Sequence, residues 1–333
     1  MNARDDSRQV LKYASGYHAP VLWHAVIQEL VTDRDGLYVD GTLGGGGHSA
    51  ALLDALSPAG RVVAIDRDDD ALEEATVRLG VAIGDGRLQI VKGNFCDAPD
   101  LLAGLGLGKV SGLLLDLGVS SHQLDEGDRG FSHRFEGPLD MRMDQSGGED
   151  ASDLINRLEP NELARVLGRY GEEPKAGRVA RALVAARPLH TTAQVADIVR
   201  SVAKWGQESK TLSRVFQGLR IAVNEELDAL DRILEASTDL IAEGGRLAVI
   251  SYHSLEDRRV KHFMRSGNLR DEIQKDFYGN KLSPWKETTR KPILADEQEI
   301  ETNPRSRSAR LRVAERLKDS DPSPNAHPDY GTF

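Results

Sequence analysis

GLYVDGTLGGGGHSAALLDALSPAGRVVAIDRD, residues 36–68, passes from strand to glycine loop to helix to strand. GLYVD (36–40) is a short apolar run that ends in Asp40. HSAALLDAL (48–56) spaces its apolar residues as a helix, and Ser57-Pro58 with Gly60 ends it. RVVAIDRD (61–68) is a second apolar run of strand length. Between the first strand and the helix stand four consecutive glycines, Gly44 to Gly47. A glycine run in that place lets the backbone approach a ligand closely.

The alternation continues outward. DDALEEATVRL (69–79) reads as a helix with acids at its start, where the helix dipole favours them. RLQIVKGNF (87–95) and VSGLLLDLG (110–118) read as a third and a fourth strand. Strands separated by helices predict a parallel α/β sheet with its ligand at the carboxyl ends of the strands. From about Ala151 to Ala236 the signals are helical only, ending with LSRVFQGLRIAVNEELDALDRILEA. A strand pattern returns with GGRLAVISYHS (244–254). The expected architecture is therefore α/β: a Rossmann-like sheet domain from 1–130 and 237–318, interrupted by an all-helical insertion over 131–236. The Pro/Ser/Asp/His-rich end, 319–333, is expected to be disordered.

The chain has 333 residues and 39% apolar content, enough for a substantial core. It has no apolar run of bilayer length, and MNARDDSRQVLKYASGYHAP at the N-terminus lacks the apolar stretch of a signal peptide. Cys96 is the sole cysteine, which excludes an internal disulfide framework and a cysteine-based zinc site. A cytoplasmic protein is the plain expectation. The net charge of −10 argues weakly against nucleic-acid binding, although binding needs only a local basic face, and the 5% aromatic content gives little support to a base-stacking platform.

The glycine loop admits two cofactor classes. Gly44-x-Gly46 begins a dinucleotide fingerprint, but its third glycine is replaced by Ser49. Asp66 ends the second strand twenty residues beyond Gly46, where a carboxylate can take both hydroxyls of an adenosine ribose. That holds for NAD and for S-adenosylmethionine alike. Asp40 discriminates, because a carboxylate facing the loop is unfavourable beside a pyrophosphate and favourable beside an ammonium and a sulfonium. DGTLGGG fits the acid-x-x-x-Gly-x-Gly loop of Rossmann-like methyltransferases. GNFCD adds Phe95 where an adenine would lie, with Asp97 near it.

LLLDLGVSSHQLD places Asp116 at the end of the fourth strand. Enzymes that methylate exocyclic amines often carry Asp/Asn-Pro-Pro-aromatic here, and this chain keeps only the acid. A carboxylate accepting a hydrogen bond from an NH2 group localises its lone pair toward the methyl, and placement in a dry site supplies most of the rate. Asp116 could act on substrate, on cofactor or on both. Gln123 offers a neutral amide to a methionine end or a base edge. RGFSHRFEGPLDMRMD (129–144), which contains Arg142, reads either as a lid or as packing of the insertion on the sheet. His253 follows the last strand at the ligand-bearing edge. No G-x-S-x-G elbow accompanies it, so a serine hydrolase is rejected. Two other readings stay open: an NAD-dependent oxidoreductase, disfavoured by Ser49 and Asp40, and a non-catalytic nucleotide-sensing or ribosome-assembly factor that keeps the fold.

HAPVLWHAV, YVDGTLGGGGHS, AIDRD, GNF, LLLDLGVSSHQLD, RGFS, PLDMRMD, FQGLRIAVNEEL, SYHSLEDR and NPRSRSARLRVAER occur in that order from His18 to Leu317. Together they resemble the bacterial 16S rRNA (cytosine-N4)-methyltransferase family RsmH (MraW). The resemblance implies in-line methyl transfer from S-adenosyl-L-methionine to N4 of a cytosine in the decoding centre, near the P site of the small subunit. It also implies that the inserted helical domain recognises substrate. Carried over by position, cofactor contacts fall on Gly46, Gly47, His48, Asp66, Phe95, Asp116 and Gln123. The chain departs from the family at Leu43 and Gly45, at Lys210-Thr211-Leu212-Ser213, and at Tyr252, where phenylalanine is commoner.

Its implied partner is 16S rRNA, in the small subunit or in a late assembly intermediate, and two local windows are basic enough to meet it. Residues 165–187 carry Arg165, Arg169, Lys175, Arg178, Arg181 and Arg187 against two glutamates. Residues 301–316 carry Arg305, Arg307, Arg310, Arg312 and Arg316 against two glutamates. Arg305, Arg307, Arg142 and His253 are the expected substrate contacts, and no metal site is expected.

Overall fold

A computed structural model describes residues 12–14, 19–279 and 281–318. The expected disordered end, 319–333, lies outside them, as does His18. The strands are β1 (Leu37–Asp40), β2 (Arg61–Asp66), β3 (Leu88–Lys92), β4 (Val110–Asp116), β5 (Ile241–Ser251), β6 (Gln274–Lys275), β7 (Lys281–Leu282), β8 (Trp285–Glu287) and β9 (Arg310–Arg316). Seven of them form one sheet in the order β3-β2-β1-β4-β5-β9-β8, and β6 and β7 form a separate hairpin. The pairs among β1 to β5 are parallel, and β9 is antiparallel to both β5 and β8.

The apolar runs of β2 and β4 are strands buried on both faces, as a covered parallel sheet requires. Alternate residues go to opposite sides. Val39, Val63, Ile65, Leu113 and Leu115 pack on one side with the helices Glu226–Leu240 and Ser254–Ser266. Tyr38, Val62, Ala64 and Leu114 pack on the other with Trp23–Leu30 and Gly47–Ala55. Because β2 and β4 flank β1 on opposite sides, the crossover direction reverses at β1, and a crevice opens there at the carboxyl edge.

Five helices between β4 and β5 share a third core: Ala151–Arg157, Pro160–Arg169, Ala176–Ala185, Thr192–Val202 and Glu208–Asn224. The long helical signal beginning at Leu212 is broken at Glu225, which takes a left-handed φ of 51°. Before the break, Val215, Phe216 and Leu219 join the helical core; after it, Leu230, Ile233 and Leu234 join the sheet. The helical block thus gives way to the sheet at Glu225, ahead of the expected limit at Ala236. The neighbouring Asn224 anchors the break, its amide accepting from the Met143 N–H (2.9 Å) and donating to the Met141 carbonyl (2.7 Å).

The basic window 301–316 is mostly structural. Its alternation of arginine with apolar residues is the period of a strand, and β9 inserts it between β5 and β8. Leu311 and Val313 fill one side. On the other, buried Arg312 donates to Asp257 (2.7 Å), and Arg310 reaches the same carboxylate (3.1 Å). Arg316 donates to the Thr238 carbonyl at 2.8 Å. Arg305 and Arg307 lie in the short turn Pro304–Ser308, where Arg305 pairs with Asp125 at 2.7 Å and Arg307 is exposed. Asp257→Ala leaves Arg312 buried beside no carboxylate and is expected to cost about 3 kcal/mol in urea unfolding. The double change Asp257→Leu with Arg312→Met removes both charges and is expected to cost less.

Candidate active site

The crevice encloses about 1000 Å³, counting its open mouth. Its walls are the loops that follow β1, β2, β3 and β4, together with Glu226, Leu230, Tyr252 and Glu256. Gly47, His48, Asp66, Phe95, Asp116 and Gln123 all line it. His253, Arg142, Arg305 and Arg307 do not.

The glycine loop is shaped from several sides. Its Leu43 N–H continues the ladder to the Ile65 carbonyl, and the Gly45 carbonyl accepts from Arg78 at 2.7 Å. Gly46 has φ 73° at the start of the helix Gly47–Ala55 and does not line the crevice. Its place there is taken by Gly44, whose N–H donates to Asp66 Oδ2 at 2.8 Å. Gly47 admits no side chain, because a Cβ would come within 2.8 Å of the Pro20 ring.

Asp66 accepts from the backbone N–H groups of Gly44 and Asp68 (3.0 Å), with that of Arg67 also directed at it. Burial pushes its pKa up to about 6, against the pull of those backbone donors. Phe95 begins a short turn after β3, and its ring packs against the sheet core while lining the crevice. Asp97 is turned elsewhere, bound by Arg232 at 2.8 Å, and Asn94 is the polar residue of this loop that lines the wall.

Asp40 does not face the ligand. It is fully buried, accepting from Ser49 Oγ at 2.7 Å and from the Thr42 N–H at 3.2 Å. Burial raises its pKa, opposed by His48 and Ser49. Ser49, where a dinucleotide fold has glycine, is the residue that satisfies this carboxylate. The charge that discriminates between cofactors belongs to the crevice itself. Asp66, Asp68, Asp116, Glu226 and Glu256 line it; Arg129 pairs with Asp68 and Arg220 with Glu226 from behind the wall, and Arg67 is the sole lining arginine among the described residues. The carboxylates of Asp66, Asp116 and Glu256 disfavour a pyrophosphate and favour a sulfonium.

Asp116 is held from several directions. Its N–H donates to Thr42 Oγ1 at 2.7 Å, and His48 Nδ1 lies 3.6 Å from Oδ2. Tyr252 donates its hydroxyl to Oδ1 at 2.8 Å. Burial, then the charge and hydrogen bond of Asp116, drive the Tyr252 pKa well above its ordinary value, so this donor stays protonated. The sequence marked Tyr252 only as a departure from phenylalanine; its role depends on a carboxylate 136 residues away.

Gln123 commits both ends of its amide within the protein. Its Nε2 donates to Asp68 at 2.6 Å, and its Oε1 accepts from the Ser120 N–H in a capping box. Buried Arg129 forks onto Asp68, reaches Asp70 at 2.6 Å, and donates to the Arg142 and Met143 carbonyls. This clamp fastens the segment 129–144 beside the crevice. Arg142 itself forks onto Asp140 at 2.8 and 2.9 Å. His253 caps the helix Ser254–Ser266 and lies 3.1 Å from the buried Glu256, which accepts from the Tyr252 N–H.

The sequence profile of the MraW methylase family matches residues 15–317. A protein from Chlorobium luteolum named ribosomal RNA small subunit methyltransferase H is 50% identical, covering 90% of this chain and 96% of its own. Proteins of the same name from Geobacter sp. and Heliobacterium modesticaldum are 46% and 45% identical, covering 90% and 91% of this chain and 99% of theirs.

A ribose seated on Asp66 would donate to the ionised carboxylate, so ligand binding is expected to lower its pKa from about 6. Affinity for S-adenosyl-L-methionine is then expected to be greatest well above pH 6 and to weaken as pH falls below it. Calorimetry is expected to show the Kd rising about tenfold between pH 7 and pH 5. Asp66→Asn is expected to bind more weakly and to flatten that dependence. Tyr252→Phe keeps the ring and removes the donor to Asp116; kcat is expected to fall about tenfold with the far-ultraviolet circular dichroism unchanged. An unchanged kcat would show that Asp116 needs no such support.

The chain belongs to the MraW methylase family.

Proposed function

We propose that this member of the MraW methylase family transfers a methyl group from S-adenosyl-L-methionine to the exocyclic N4 of a cytosine in 16S ribosomal RNA. We place the target in the decoding centre, near the P site. The observation that carries the reading is the acidic crevice with Asp66 and Asp116 on either side of β1. Relatives at 45–50% identity that are named for small-subunit rRNA methylation support the substrate.

In this reading Asp66 accepts the ribose hydroxyls and Phe95 covers the adenine. Gly47 and His48 bound the methionine end. Gly46 shapes the loop that places them. Gln123 would serve the cofactor by leaving Asp68 or Ser120, or by holding Asp68 in place. The methyl donor supplies a carbon made electrophilic by its sulfonium. N4 forms its bond to that carbon in line with the breaking bond to sulfur, and sulfur keeps the electron pair. The N4 lone pair is delocalised into the pyrimidine, so a fixed acceptor for an N4–H is needed to localise it. Asp116, held by Tyr252 and Thr42, is that acceptor. Once methylated, N4 loses its proton to Asp116 or to water.

The target cytosine must leave its stack to reach Asp116. We assign RNA recognition to the helical block, which exposes Arg165, Arg169, Lys175, Arg178 and Arg181. Arg305 and Arg307 are proposed phosphate contacts at the rim. Arg142 and His253 serve the substrate indirectly in this reading, through the acids they hold. The substrate is the small subunit or a late assembly intermediate, met in the cytoplasm. No helix among the described residues is long and apolar enough to cross a membrane.

Incubation with labelled S-adenosyl-L-methionine and small subunits from cells lacking the enzyme is expected to place label in N4-methylcytosine. Absence of that label would leave only a non-catalytic role. Asp116→Ala is expected to lower the transfer rate at least about a hundredfold.

A further inference from the structure

Trp205 is 92% exposed. The other two tryptophans are packed: Trp285 is buried with Nε1 on Thr238 at 3.1 Å, and Trp23 meets Tyr13 edge to face at 4.8 Å. Leaving an indole in water forfeits the burial of a large apolar surface. At Trp205 the backbone enforces that exposure. Residues 204–207 form a tight turn closed by Gln207 N–H to the Lys204 carbonyl at 2.9 Å. Gly206 takes φ 75° at the third position of that turn, and its N–H is captured by Glu208 at 3.0 Å. The turn joins two helices whose nearest apolar residues are already engaged: Val202 packs against the core of the helical block and Leu212 lies in it. Trp205 is therefore presented outward, next in sequence to exposed Lys204, with exposed Lys210 near the start of the helix that follows the turn.

We propose that Trp205 is a stacking platform for an unpaired base of the ribosomal RNA, with Lys204 and Lys210 meeting the adjoining phosphates. An indole flanked by lysines matches a single-stranded segment, which offers a flat π-face and a negative backbone at one place. This rests on the proposed RNA substrate and names a residue on the helical block that grips it. The low aromatic content of the whole chain, read in the sequence as disfavouring base stacking, carries no weight here, because one ordered indole suffices.

The test uses the full-length protein and unmethylated small subunits. Trp205→Ala is expected to raise the KM for subunits about tenfold. Its kcat at saturating subunits and its affinity for S-adenosyl-L-methionine stay at the wild-type values. Trp205→Phe restores most of the loss, which a merely structural role would not require. The salt dependence of subunit binding is unchanged in Trp205→Ala and flattened in the double variant Lys204→Ala, Lys210→Ala. A wild-type KM in Trp205→Ala overturns the proposal while leaving the methyltransferase reading intact. Photocrosslinking from position 205 to a ribosomal protein instead of rRNA also overturns it. If the wild-type protein labels no RNA, the functional reading itself has failed.

Discussion

Three neighbouring parallel strands each end in an aspartate, and the crevice exists because those three charges are satisfied differently. Asp40, on the central strand, is sealed by Ser49 and Thr42 and never meets solvent. Asp66 receives backbone donors and lines the crevice. Asp116 is steadied by a phenol that cannot ionise under working conditions. Had all three been sealed like Asp40, the edge would be an inert strand terminus. Had all three been open, their mutual repulsion in a buried place would have driven them to protonate. Thr42 links two of the three, since its backbone N–H serves Asp40 and its hydroxyl serves Asp116.

The parts of this arrangement that follow from local order were legible in the sequence. The runs ending in Asp40, Asp66 and Asp116 are strands, and Phe95 follows the third strand as its position implied. Asp40 was misassigned because a strand-end acid has two faces available, and only Ser49, reaching from the next helix, decides which one it uses. Gln123 and Asp68 are 55 residues apart and Arg129 and Asp68 are 61 apart, so no local pattern pairs them. Arg312 shows the opposite error. A count of charges made the last basic stretch look like a surface, whereas its period of two and the distant Asp257 make it a buried strand.

The seam between the helical block and the sheet is polar where it borders the crevice. Arg129 holds the Arg142 and Met143 carbonyls, Asn224 holds both Met141 and Met143, and Arg67 reaches the Asn224 carbonyl at 3.2 Å. Apolar packing is indifferent to direction, but these hydrogen bonds fix one registration of block against sheet. The break at Glu225 serves the same end, letting consecutive helices belong to two different cores.

The position of β9 bears on how the chain is made. This strand lies inside the sheet, between β5 and β8, yet it is drawn from residues 310–316. A ribosome must therefore synthesise the chain through residue 316 before the sheet can close, while the helical block between β4 and β5 has already emerged. From the emergence of β5 (241–251) until that of β9, the nascent chain carries β5 with one edge uncovered, and such edges invite intermolecular pairing. The arginines of β9 bring charge to that pairing, so the strand that closes the sheet is itself a poor seed for aggregation.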